Sequence, residues 1–296
     1  MSTRAPATAR GGHLARLRER VERLPLMPFV GRLTERVLAV NAIEAATTLA
    51  AKVFLAGVPA LFVFAAFAPE SMRARLVDSL QAVFGLPAGA LDDVTRVYDA
   101  GTELREQTGA FSAVLTLLMA AQVTRTLQRL CARAWSVLPG KATHLVWRWL
   151  VWLPAWLATL LFQATLHDGF GVGRWFGVVL SSVSAVLVWW WTQHLLLQGR
   201  IGWLPLLPGA VLTGIGLVLF QYGSHLVMPR TVERSIAEFG PLGFVLTLMS
   251  WLIAACGVIV FAITIGAVAA REEPLCHVLG TPPPPGARVG ERMAPV

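Results

Sequence analysis

Residues 241–270 read PLGFVLTLMSWLIAACGVIVFAITIGAVAA, a run without a charged side chain. A helix of that length reaches ~45 Å at 1.5 Å per residue, more than the ~30 Å hydrocarbon core of a bilayer. Such a segment is apolar on every face, which predicts a membrane-spanning helix rather than an amphipathic one lying on a soluble core. Working back toward the N-terminus, apolar stretches recur at about 203–228, 175–197, 145–166, 109–124 and 46–68. The whole chain agrees with this reading. Of 296 residues, 55% are apolar and 14% charged, with a mean hydropathy of +0.62, where a soluble domain is about a quarter charged. The expected fold is therefore all-α: a polytopic membrane helical bundle of six transmembrane helices, with an N-terminal amphipathic helix and an outer helical hairpin.

The stretch at 109–124 decides the span count, because it holds only about 15 apolar or small residues before Arg125, against the ~20 a span needs. Without it the parity of every later span flips. Basic residues test the choice, since short cytoplasmic loops hold the excess of Lys and Arg. With six spans and both termini inside, sixteen basic residues fall on the inner side and seven on the outer, while Lys52 and Arg148 fall within spans. The net charge of +8 is thus topological rather than a nucleic-acid footprint. Of the 25 basic residues, all but Lys52 and Lys141 are Arg, a bias expected of a GC-rich bacterial genome.

Outside the spans, residues 14–24 (LARLRERVERL) put Leu14, Leu17, Val21 and Leu24 on one helical face amid Arg16, Arg18, Arg20 and Arg23. This predicts a basic amphipathic helix on the inner surface, within a basic cytoplasmic segment 1–40. No apolar core of the signal-peptide kind occurs before the first span, which is expected to remain as an uncleaved anchor. Residues 69–108 carry seven acidic side chains; Ser71 as N-cap and Met72, Leu76, Leu80 and Val83 at helical spacing predict an outer hairpin broken at Gly85, Pro87 and Gly89. The Pro-rich segment 272–296 predicts a disordered cytoplasmic tail after the membrane domain 41–271.

Enzyme chemistry finds no support in the motifs. HExxH, GxSxG and P-loop patterns are absent, and His13, His144, His167, His194, His225 and His277 lack ligand spacing. Cys131, Cys256 and Cys276 form no CxxC pair, so no metal, cofactor or disulfide framework is expected. Four groups of residues stand out instead. Lys52 places an ammonium inside an apolar span at about 2.5–3.5 kcal/mol unless it snorkels or finds a partner. Gln221, Tyr222, Ser224 and His225 gather polar groups partly on one face of the fifth span. Lys52, Gln221, Tyr222 and His225 are accordingly candidates to line a polar cavity, with snorkelling and interhelical hydrogen bonds as the alternatives. Arg125, Arg129 and Arg133 recur every four residues as a basic stripe and are candidate contacts for anionic lipid head groups, unless they serve orientation alone. Arg148, flanked by Trp147, Trp149 and Trp152, reads as an interfacial anchor. Pro59, Pro154, Pro205 and Pro208 interrupt apolar runs, and Gly209/Thr213, Ala210/Gly214 and Ala262/Gly266/Ala270 form small-xxx-small pairs suited to close helix contact.

Four runs carry a family likeness: TLAAKVFLAGVPALF, GAFSAVLTLLMAAQVTRTLQRLCARAW, LLPGAVLTGIGLVLFQYGSHLV and FGPLGFVLTLMSWLIAACGVIVFAITIGAVAA. In their order and spacing, over roughly 40–271, the chain resembles the YihY / virulence factor BrkB family of bacterial inner-membrane proteins, once mislabelled ribonuclease BN. The resemblance implies six spans, inner-membrane placement and a role often guessed to be transport. Two departures are Ala51 and Lys52 where the family usually has an aromatic after Leu-Ala, and Gly266, Ala267, Val268 where it tends to read Gly-Ala-Glu. Two functions are expected from these readings. One is a small transporter or exporter; the alternative is a non-catalytic membrane scaffold or envelope-integrity factor acting through lipid and partner contacts. Membrane lipids are the expected partners, together with a second copy of the chain in a homo-oligomer; nucleic acid is not.

Overall fold

A computed structural model describes residues 26–67, 105–137, 156, 159, 174–273 and 275–281. The amphipathic helix at 14–24, nearly all of the outer hairpin, the third apolar stretch apart from two positions, Arg148 and the tail beyond 281 lie outside the described residues. What is described is all-helical, without a strand. The helices are α1 (Leu26–Val40), α2 (Ala42–Phe67), α3 (Arg105–Ala134), α4 (Arg174–Leu196), α5 (Trp203–Phe239), α6 (Pro241–Ala269) and the short α7 (Leu275–Leu279).

Helix boundaries follow local chemistry. Asn41 separates α1 from α2 at φ +52°, a left-handed conformation that Asn tolerates better than most residues. Its N–H donates to the Leu38 carbonyl at 3.0 Å and its own carbonyl accepts from Ala45 at 2.9 Å. The two helices meet there at a 44° bend. Between α5 and α6 the sequence Phe239-Gly240-Pro241 makes a one-residue break. Gly240 sits at φ +62°, ψ −147°, a region open to glycine alone, and Pro241 begins α6 where its missing N–H is not needed. Between α4 and α5, Gln198 and Gly199 take φ of +58° and +69°.

Among the described residues, three helices are long and apolar enough to cross a membrane: Gly177–Leu196 of α4, α5 and α6; Phe29–Val40 with Ala42–Gly57 makes a fourth if the bent pair is one span. Helix α3 has 30 residues, a length of ~45 Å that would suffice, but its C-terminal half carries Arg125, Arg129 and Arg133. Helix α5 continues to Phe239, eleven residues past the expected end at 228, through Pro229. At the end of the apolar stretch and beyond it, Met228 and Val232 pack on Phe244, Leu248 and Trp251 of α6, so tertiary contact extends the helix where composition alone ends it.

Helix α6 is central and packs on α5, α2, α1 and α3, while α2 also packs on α3 and α4 on α5. The core lies toward the end where α3, α4 and α6 finish and α2 and α5 begin, around Val40, Leu127, Trp135, Leu196, Leu206 and Ile263. Glycines set the closest approaches. A Cβ on Gly266 would collide with the Cα of Gly209, and one on Gly214 would lie 2.7 Å from the Val186 backbone nitrogen. Lipid tails are as apolar as leucine, so such contacts, rather than apolar burial, hold spans together.

Large apolar side chains face outward along the helices, while polar side chains are buried among the apolar core. Phe111, Val114 and Leu118 of α3, Val179, Val183 and Leu187 of α4, and Leu212, Ile215 and Leu219 of α5 are exposed at three- and four-residue spacing. Thr124, Gln128, Ser181, Thr192, Gln193, Thr213, Gln221, Ser224, Thr247 and Thr264 are buried. Water would disfavour this arrangement and hydrocarbon favours it, which identifies a membrane protein.

Candidate functional site: buried polar groups on α4, α5 and α6

The sequence candidates fall into separate groups. Lys52 is half-buried on α2, and its Nζ donates to Thr126 Oγ1 of α3 at 2.6 Å; the Thr126 hydroxyl donates in turn to the Gln122 carbonyl at 2.9 Å. Glu44, eight residues earlier on the same helix, is exposed. On α5, Gln221 and Ser224 are buried on the face that continues to Met228, with Ser224 Oγ donating to the Gln221 carbonyl at 2.7 Å, while Tyr222 and His225 are half-buried. Gln221 lies ~18 Å along α5 from Gly209. Lys52 lies on α2 and Gln221 on α5, helices that each pack against α6. Arg125, Arg129 and Arg133 are all exposed on one face of α3, opposite buried Leu127, Leu130, Cys131 and Ala134.

A third group escaped the sequence reading. Thr192 and Gln193 follow three tryptophans at the end of α4, and both are buried. Thr192 Oγ1 accepts from Trp156 Nε1 at 3.2 Å. Gln193 is 1% exposed, and neither its Oε1 nor its Nε2 has a hydrogen-bond partner among the described residues. Its amide faces Gly209, where a Cβ would lie 2.9 Å from Oε1, beside the point at which Gly209 meets Gly266. Below it the Thr213 hydroxyl donates to the Gly209 carbonyl at 2.7 Å, and Thr264 of α6 to the Val260 carbonyl at 2.7 Å. A threonine that bonds its own helix is satisfied; a buried amide with both ends open costs about 1–3 kcal/mol per group. The hint in the sequence was Thr-Gln-His closing an otherwise apolar and aromatic run. His194, the third member, stacks on Trp203 at 3.9 Å between ring centroids, and Trp190 Nε1 donates to the Trp203 carbonyl at 2.7 Å, so its neighbours are structural.

At the end of the bundle where α3 and α6 finish, arginines dominate. Arg32 pairs with Glu272 at 2.6 Å, Arg36 Nη1 donates to Ser136 Oγ at 2.6 Å, and Arg271 Nη2 donates to the Trp135 carbonyl at 2.7 Å. Burial, and then the neighbouring Arg36 charge, lower the Arg271 pKa from its ordinary value. Cys131 and Cys256 are buried free thiols and Cys276 is half-buried. No cluster of three or more His, Cys, Asp or Glu suited to a metal occurs among the described residues. Comparison with protein-family models, curated proteins and solved structures gives no match to this chain.

Proposed function

We propose that the chain is a six-span bacterial inner-membrane protein of the YihY/BrkB type, with both termini in the cytoplasm, working as a small transporter or exporter. The observation that carries the transport reading is Gln193. An amide 1% exposed and unpartnered among the described residues, between helices whose outer faces are apolar, is costly in a merely structural bundle. A polar solute passing between α4, α5 and α6 would supply the missing hydrogen bonds, with Thr213 and Thr264 close along the same helices. Charge asymmetry supports the orientation. Among the described residues, seven basic side chains (Arg32, Arg36, Arg125, Arg129, Arg133, Arg200, Arg271) stand with four acidic ones at the end assigned to the cytoplasm.

The scaffold reading is favoured by one specific observation, the backbone-to-backbone packing of Gly209 on Gly266, which closes the bundle at that level. Substituted-cysteine labelling separates the two. With Cys131, Cys256 and Cys276 replaced, single cysteines at 193, 213 and 264 are treated in membrane vesicles with a small water-soluble methanethiosulfonate. Transport predicts reaction at 193 and 213; inertness at all three, with a control cysteine at 200 reacting, contradicts it.

A further inference from the structure

The turn that ends α3 gathers two cations that no carboxylate neutralises among the described residues. Ser136 takes φ +51°, and the turn closes with Ser136 N–H on the Arg133 carbonyl at 3.1 Å and Val137 N–H on the Ala132 carbonyl at 2.9 Å. The Trp135 carbonyl and the Ser136 hydroxyl are the acceptors for two arginines. Arg271, just past α6, donates to the first at 2.7 Å with its guanidinium 5.2 Å from the Trp135 ring centroid; Arg36, from α1, donates to the second at 2.6 Å. The two guanidiniums therefore sit on adjacent residues, close enough that the Arg36 charge adds to burial in disfavouring the charge of Arg271.

Among the described residues, carboxylates do not answer them. Glu272 is held by Arg32 at 2.6 Å, and Glu273 faces His277 at 3.9 Å. Glu35 is exposed on α1, about 100° round the helix from Arg36. The C-termini of α3 and α6 bring about half a negative charge each, so roughly one positive charge is left over between the two arginines. Both are half-buried, and Arg271 Nε is enclosed without a partner among the described residues. Guanidinium forks in this situation match the paired oxygens of phosphate.

We propose that Arg36 and Arg271, joined at the C-terminal turn of α3, form a binding site for a phosphate-type oxyanion, carried by an anionic lipid head group or by a soluble phosphate. The site is distinct from the exposed Arg125, Arg129 and Arg133 stripe, and it stands whether the bundle transports or not.

The test uses the full chain in nanodiscs of pure phosphatidylcholine, of phosphatidylcholine with phosphatidylglycerol, and of pure phosphatidylcholine titrated with inorganic phosphate. The wild type, Arg36→Gln and Arg125→Gln are compared by thermal midpoint and by native mass spectrometry of the bound anion. We expect the wild-type midpoint to rise with one anion source and that rise to vanish in Arg36→Gln, with binding about tenfold weaker, equivalent to ~1.4 kcal/mol. Arg125→Gln should respond as the wild type. Without anion, Arg36→Gln should melt no lower than the wild type, because it removes like-charge repulsion. A rise with phosphatidylglycerol alone assigns the site to lipid, and a rise with phosphate assigns it to a soluble ligand. No rise with either, or a rise that survives in Arg36→Gln, overturns the proposal; so does a lower anion-free midpoint with an unchanged response, the signature of a purely structural arginine.

Discussion

At Gly266 a single hydrogen decides whether α5 and α6 can meet, because any Cβ there would run into the Gly209 backbone. Backbone cannot yield as a flexible side chain can, so the helices must part. Gly266→Ala should lower stability by about 1–3 kcal/mol, the range for overpacked sites. Gly257→Ala, on the same helix with open space around it, should leave stability unchanged or raise it by about 0.5–1 kcal/mol. Unfolding midpoints in mixed micelles check the pair, and equal losses would contradict the packing account. Gln193 offers the converse case. Replacing a buried, unpartnered amide by leucine removes a desolvation penalty, so Gln193→Leu should raise the unfolding midpoint by the equivalent of about 1 kcal/mol or more while abolishing transport. A destabilised Gln193→Leu would mean that the amide is satisfied and structural. The small-xxx-small spacing of Gly209, Thr213, Ala262 and Gly266 was readable in the sequence because it is local. The aim of Gln193 at Gly209 was not, since it depends on which helix packs beside α4. Arg36 and Arg271 come from opposite ends of the chain, and no pattern in either segment announces their meeting.

Elements were legible where their ends are chemical and illegible where their ends are tertiary. Phe239-Gly240-Pro241 marks its own break, and the structure turns there, with Gly240 N–H donating to the Ile236 carbonyl at 2.8 Å. At φ +62° and ψ −147° a side chain is strained although the space is open. Gly240→Ala should therefore cost about 1–3 kcal/mol, and Gly240→Asn should rescue little of it, because this conformation lies outside the left-handed helical region that Asn tolerates. Full recovery by Asn, seen in the same unfolding assay, would contradict that assignment. The extension of α5 beyond Met228 gave no such signal. Pro229 and the charged Arg230, Glu233 and Arg234 read as an ending, and only the packing of Val232 against α6 carries the helix on.

For the molecule as a whole, composition fixed the solvent and the length of the apolar runs the class, whereas the number of crossings rests on α3 and on a third stretch that lies, apart from two positions, outside the described residues. The six-span proposal predicts that a reporter fused after the last residue is cytoplasmic and that a cysteine at 240 is labelled from outside intact cells; both on one side would mean an odd count between them was misjudged. The central claim is a bundle with polar groups within and apolar residues toward lipid. It is tested most directly by spin labels at 118, 183 and 219 and at 193 and 213 in nanodiscs, comparing relaxation by oxygen with relaxation by a water-soluble nickel chelate. The account predicts that 118, 183 and 219 respond to oxygen and not to nickel, and that 193 and 213 respond less to oxygen than those three. Nickel access at 118, 183 and 219 together with strong oxygen access at 193 and 213 would contradict it.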